Sequence, residues 1–218
     1  MNIFSVENLT CVRGGRTVFA GLGFTLETGG VLMLVGPNGS GKSSLLRLMA
    51  GLLKPAAGNL KWDREEIYED PEIHSGRLHY VGHLDAVKPA LSVFENVSFW
   101  SSLMNGCSEN GESTIKALNT FGLGHLEKVP GRFLSTGQKK RVNLARILAS
   151  PAPLWLLDEP TAALDKETII SLEAAINHHC TAGGMVVIST HSDIKLPEHQ
   201  VIDLAGFPGT HMEIEHAL

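Results

Sequence analysis

The stretch Gly36–Ser43, reading Gly-Pro-Asn-Gly-Ser-Gly-Lys-Ser, constrains this chain more than any other, because it fits G-x-x-x-x-G-K-[ST] in the right surroundings. Ahead of it the apolar run Val31-Leu32-Met33-Leu34-Val35 predicts a buried strand, and behind it Ser44–Ala50 predicts a helix. Strand, glycine loop and helix make a phosphate cradle. Gly36, Gly39 and Gly41 let the backbone curl so that successive N–H groups point inward, Pro37, Asn38 and Ser40 complete the loop, and the helix adds the positive end of its dipole. A triphosphate fits that pocket. Lys42 reaches the β- and γ-phosphates as a point charge, the Ser43 hydroxyl holds Mg²⁺, and Ser44 carries the nucleotide-binding stretch into the helix.

Further stretches continue the same chemistry. Leu134-Ser135-Thr136-Gly137-Gln138 is a polar, glycine-containing turn that opens a helix running through Ala149, so Ser135, Gly137 and Gln138 mark a second anion-seeking helix start. Leu154-Trp155-Leu156-Leu157 predicts a buried strand ending in Asp158-Glu159-Pro160, and Val186-Val187-Ile188-Ser189-Thr190 predicts another ending in His191. Ligands of an open parallel sheet gather at the carboxyl ends of its strands, so the loop after Val35, Asp158-Glu159 and His191 are expected at one site. There Asp158 would bind Mg²⁺ directly or through water, Glu159 would polarise the attacking water as general base, and His191 would hydrogen-bond the γ-phosphate. Two merely solvated acids fit poorly with an apolar run that aims them at the carboxyl edge.

In these motifs the chain resembles the ATP-binding subunits of ABC transporters, from residue 3 to about residue 206. The resemblance implies an α/β P-loop NTPase of ABC type in one domain spanning residues 1–218. Its mostly parallel sheet core carries an N-terminal antiparallel β-subdomain and a small helical subdomain inserted at about residues 90–150. It further implies a homodimer, two copies packed head to tail so that each Ser135-Thr136-Gly137-Gln138 closes over the γ-phosphate held by the other's Lys42. Thr136 stands where the family usually has a glycine. An aromatic residue of the family stacks on adenine; here Arg13 occupies the matching place, with Phe19 the nearest aromatic. A guanidinium stacks on a purine face, and a solvated turn arginine is the other reading. His83 stands where a glutamine usually touches Mg²⁺ and the attacking water; an imidazole in that role and a plain strand-end histidine are both open.

The remaining segments read more plainly. Short β-like stretches are expected at residues 3–9 and roughly 17–26 around the turn Arg13–Arg16, and further strands at Gly58–Trp62, Leu78–Gly82 and Gln200–Leu204. Asp63–Ser75 is polar and acid-rich and reads as loop, with His74 on the surface. Val93, Val97 and Trp100, then a loop at Asn105–Gly111, then Ile115, Leu118, Phe121 and Leu123, predict a helical arm with an apolar stripe. Phe94, Phe99 and Trp100 are core residues by pattern and docking residues for a membrane subunit by resemblance. His178-His179-Cys180 lie next to one another on a predicted helix, where neighbours point to different faces, and read as structural rather than as a metal cluster.

Composition narrows the partners. A net charge of −5 gives no support to a nucleic-acid surface. Apolar runs reach no more than seven residues, and Met1–Glu7 lacks a basic-then-apolar leader, so a cytoplasmic chain is expected. Cys11, Cys107 and Cys180 are far apart, without C-x-x-C spacing, as in a reducing compartment. Cys11–Arg16, Gly51–Pro55, Tyr80–His83 and the compact end after the last strand resemble the haem-exporter ATP-binding subunits of bacterial cytochrome c maturation. That resemblance implies a peripheral protein on the cytoplasmic face of the inner membrane, working with integral membrane permease subunits, in which the ATPase is not itself the haem carrier. A subunit of another exporter, moving lipid, drug or peptide, would share every motif. A soluble ABC factor would usually show two ATPase modules or a long coiled-coil insertion, and a P-loop kinase leaves Leu134–Gln138 without a role.

Overall fold

The structure, a computed structural model, describes residues 2–105 and 111–209; the loop expected at Asn105–Gly111 and Cys107 lie largely or wholly outside them. In chain order the elements are β1 (Ile3–Arg13), β2 (Arg16–Glu27), β3 (Val31–Val35), α1 (Lys42–Met49), β4 (Ala57–Trp62), β5 (Glu65–Glu66), α2 (Pro71–Gly76) and β6 (Leu78–Val81). There follow α3 (Val93–Asn105), α4 (Glu112–Thr120), α5 (Thr136–Ala149), β7 (Leu154–Asp158), α6 (Lys166–Thr181), β8 (Met185–Ser189) and β9 (Gln200–Asp203).

The strands form two sheets. Five run parallel in the order β6-β7-β8-β3-β9, and four form an antiparallel sheet in the order β2-β1-β4-β5. Every residue of β7 and β8 is buried, which explains their unbroken apolar runs, since a central parallel strand is covered on both faces. Alternation then divides their side chains between two cores. Leu154, Leu156, Met185 and Val187 face one side with Leu32, Leu34, α1 residues Leu45, Leu46 and Met49, and the antiparallel sheet residues Phe4, Leu22 and Leu26. Trp155, Leu157, Val186 and Ile188 face the other, against Val93 and Val97 of α3, Leu118 of α4, Leu144 of α5 and Leu172 of α6. The helices α3, α4 and α5 therefore pack with α6 on the second face of the parallel sheet, although the expected apolar stripe is not wholly buried: Ile115 is 46% exposed. Phe99 lies half out, edge-on to Trp100 and beneath Lys88 Nζ.

One segment departs from expectation. Within Asp63–Ser75 the structure forms β5 and α2 rather than loop, and His74 is buried, not on the surface. The local chemistry accounts for this: Asp70 accepts the Ile73 N–H as an N-cap and Pro71 fills the first helical position. Buried His74 places its Nε2 2.8 Å from the Met49 carbonyl at the end of α1, so a side chain satisfies a helix-end acceptor. A carbonyl only accepts, hence Nε2 carries the proton.

Two more histidines are withdrawn from water, by different contacts. His79 donates from Nε2 to the Ser150 carbonyl at 2.9 Å, and His179 stacks on Trp155 with ring centroids 3.9 Å apart and planes 6° from parallel. Burial lowers the pKa of His74 and His79, and takes that of His179 down to about 4. A base whose folded pKa lies below its unfolded value binds fewer protons when folded, so stability is complete above roughly pH 6.5 and is lost as pH falls toward 4. The urea midpoint is expected to drop through that window, and His179→Phe, which keeps the stack, should flatten the drop. A variant profile superimposable on the parent's would show that His179 does not carry the dependence.

Candidate active site

The loop between β3 and α1 is shaped by its glycines. Gly41 has φ 103°, and a Cβ there would stand 2.7 Å from Val18 Cγ1 and 2.8 Å from Phe19 Cδ1, so the loop lies directly on the antiparallel sheet. Gly36, at φ 132°, would drive a Cβ to 2.8 Å from Ser40 Oγ. Both conformations and both contacts demand glycine. No side chain caps the start of α1 and no acid sits in its first turn, so its free N–H groups face the cleft. Lys42 is buried, its Nζ donating to the Gly36 and Pro37 carbonyls at 2.7 and 3.2 Å, which holds the ammonium over the loop.

Sheet register brings the other groups alongside. Val81 pairs with Leu157, Leu157 with Ile188, and Met33 with Ile188, so β6, β7, β8 and β3 end at one edge. Asp158 is 2% exposed; Ser189 Oγ donates to its Oδ1 at 2.8 Å, while Oδ2 is buried with no hydrogen-bond partner among the described residues. Glu159 leaves the strand at φ 49°, a conformation few non-glycine residues adopt, with its N–H donating to the Ser189 carbonyl at 2.9 Å. His191 Nε2 lies 3.2 Å from Asn38 Oδ1 and 3.5 Å from Glu159 Oε1, and its backbone N–H donates to Glu159 Oε2. One histidine thus joins the phosphate loop to the acid at the end of β7. Behind the acids, burial lowers the pKa of Lys140 on α5, while Asp85, Asp158 and Glu159 act to keep it charged.

These groups line one cleft of about 500 Å³, formed by Arg13, Val18, Asn38, Gly39, Gly41, Lys42, Ser43, Ser44, His83, Asp158, Glu159 and His191. Gly36, Pro37 and Ser40 of the same loop do not line it. Phe19 is fully buried beneath Gly41 and is unavailable for stacking, which leaves exposed Arg13 as the planar group at that end. Ser43 and Asp158 supply only oxygen donors, and the buried unpaired Oδ2 fits a hard cation that keeps much of its water. Ser135, Gly137 and Gln138 do not join the cleft. Ser135 caps α5 instead, its Oγ accepting the Gln138 N–H while Gln138 Oε1 accepts the Ser135 N–H. A Cβ on Gly137 would come within 2.9 Å of the Ala163 carbonyl, so the helix start abuts the turn after Asp158-Glu159.

Sequence reasoning missed Ser189 and the buried pair Thr161–Thr190, whose hydroxyls meet at 2.9 Å. The available signal was position alone, polar residues closing an otherwise apolar strand. A larger cavity of about 860 Å³ lies between α4, the end of α5 and α6, lined in part by Trp155 and His179. It shares no residue with the phosphate loop.

The ABC transporter family profile matches residues 19–162. A cytochrome c biogenesis ATP-binding export protein, CcmA, of Paramagnetospirillum magneticum is 60% identical, with 94% of each chain covered. Among solved structures, a putative ABC transporter ATP-binding protein from Pyrococcus furiosus superposes with a TM-score of 0.82 at 25% identity, covering 94% of this chain and 99% of that one. An ATP-binding cassette in a dimeric post-hydrolysis state, bound to ADP and Pi, superposes with a TM-score of 0.76 at 25% identity over 87% of this chain and 88% of that one. A phosphate loop, strand-end acids and a helix-borne serine in this arrangement, with that identity along nearly the full length, leave one conclusion: the chain belongs to the ABC transporter ATP-binding family, among its cytochrome c biogenesis ATP-binding export proteins.

Proposed function

We propose that the chain is the ATP-hydrolysing subunit of a haem export or delivery complex of cytochrome c maturation, acting as a homodimer with integral membrane permease subunits at the cytoplasmic face of the bacterial inner membrane. It works as one ATPase domain in which the segment at about 90–150 is the inserted helical part. The observation that carries this reading is the meeting of Lys42, Asp158, Glu159 and His191 in one cleft while the Ser135 helix start stays outside it. None of its helices, among the described residues, is long and apolar enough to cross a membrane, which suits a subunit that borrows its membrane path from partners.

The triphosphate of ATP lies along Gly36–Ser44, its charge met by the N–H groups of the loop and of α1 and by Lys42. Arg13 stacks on the adenine. Ser43 and Asp158 would hold Mg²⁺, which would supply charge neutralisation at the phosphates. Glu159 polarises the attacking water, His191 holds the γ-phosphate, and His83 takes the place of the usual glutamine beside that water. Ser135, Gly137 and Gln138 of each subunit close on the γ-phosphate bound by its partner, so hydrolysis removes the group that joins the halves and reopens the dimer. The dimeric relative bound to ADP and Pi supports this arrangement. The membrane subunits convert that opening into movement or release of cargo.

Glu159→Gln is expected to keep ATP affinity within about threefold while turnover falls roughly 10²–10⁴-fold, and to trap an ATP-bound dimer visible by light scattering. Turnover near the parental rate would remove Glu159 from the role of base. Lys42→Ala should weaken nucleotide binding by at least tenfold in calorimetry; unchanged affinity would take Lys42 out of the phosphate site. Deletion of the gene is expected to abolish mature c-type cytochromes while other haem proteins persist, and normal holocytochrome levels would reject the haem-pathway assignment.

A further inference from the structure

We propose that Ser189 is the positioning residue that aims Asp158 at the divalent cation; the proposal rests on the reading that Asp158 holds that cation. Ser189 closes β8, is fully buried, and is paired in register with Asp158 across the sheet. Its hydroxyl has one proton, and that proton is committed to Asp158 Oδ1 at 2.8 Å. The carboxylate is anchored through that one oxygen. Oδ2, buried without a partner among the described residues, is then the open acceptor of an almost fully enclosed carboxylate. A buried acceptor left unpaired is costly, and a cation or its bound water at that oxygen removes the cost.

Ser189 also places the second acid. Its carbonyl accepts the Glu159 N–H at 2.9 Å and its Oγ lies 3.4 Å from the same nitrogen. Both acids are therefore referenced to one residue of the neighbouring strand, and the left-handed turn at Glu159 starts from a fixed point. The adjacent hydroxyl cannot substitute, because Thr190 Oγ1 is paired with Thr161 Oγ1 and accepts the Ser192 N–H.

The test uses the full chain with Mn²⁺ as probe, titrated by electron paramagnetic resonance in the presence of a non-hydrolysable ATP analogue. Ser189→Ala is expected to weaken Mn²⁺ binding about tenfold or more, the usual scale for losing a partner that orients a metal ligand, while analogue affinity in EDTA stays at the parental value. Parental Mn²⁺ affinity in Ser189→Ala overturns the proposal, and so does a lowered melting temperature accompanied by parental Mn²⁺ affinity, which would make the hydroxyl structural only. If Ser189→Ala does not fold, Ser189→Cys, close in volume but a weak donor, is judged by the same threshold. Asp158→Asn separates the two layers of argument. Parental Mn²⁺ affinity there defeats the underlying assignment of Asp158, whereas weakened binding there with none in the Ser189 variants defeats the role of Ser189 alone.

Discussion

The backbone ladder between β7 and β8, with Asp158 opposite Ser189, is the constraint on which the rest of the molecule depends. Both strands are buried along their whole length, and their side chains alternate between two different cores. A slip of one residue would send Trp155 and Leu157 into the core built around α1 and withdraw Asp158 from its hydroxyl donor. Packing thus enforces the register, and the register delivers the two acids, Ser189 and His191 to the edge where β3 gives way to the phosphate loop. Chemistry that needs several groups placed within hydrogen-bonding reach is obtained from a ladder that exists for burial.

The antiparallel sheet serves the same edge from the opposite side. Phe19 and Val18 lie so close to Gly41 that only a glycine fits, which seats the loop and fixes the direction in which α1 begins. With no cap on that helix, its first N–H groups are left for an anion. The start of α5 is built in the contrary manner: Ser135 and Gln138 satisfy each other's backbone donors, so this helix end is stable before any phosphate reaches it. One helix start completes the cleft, and the other lies outside it with its donors already satisfied.

How far the site was legible depended on how many constraints each residue carried in its immediate neighbours. Lys42, Asp158, Glu159 and His191 each follow an apolar run whose length and type declare a buried strand, and their convergence follows from parallel topology. Phe19, the nearest aromatic to Arg13, has its ring against Gly41 and supports the loop from below, a contact that local sequence does not reveal. The acids around His74 imply a solvated loop, yet Asp70-Pro71 spells a helix start, and the partner that draws the ring inward, the Met49 carbonyl, is distant in sequence. Ile115 fits the helical stripe of α4 yet faces outward, since the stripe's period says which residues share a face but not how much of that face a neighbour covers.

From its residues alone this chain determined a phosphate-binding α/β protein, because the glycine loop, the strand-end acids and the second helix start are local patterns with local physical causes. Only the tertiary structure decided which hydroxyl holds Asp158, which histidines are drawn into the interior, and that Phe19 lies beneath the phosphate loop. Those depend on contacts between residues far apart in the chain, which are settled by how the sheets and helices pack against one another and leave no periodic trace in the sequence.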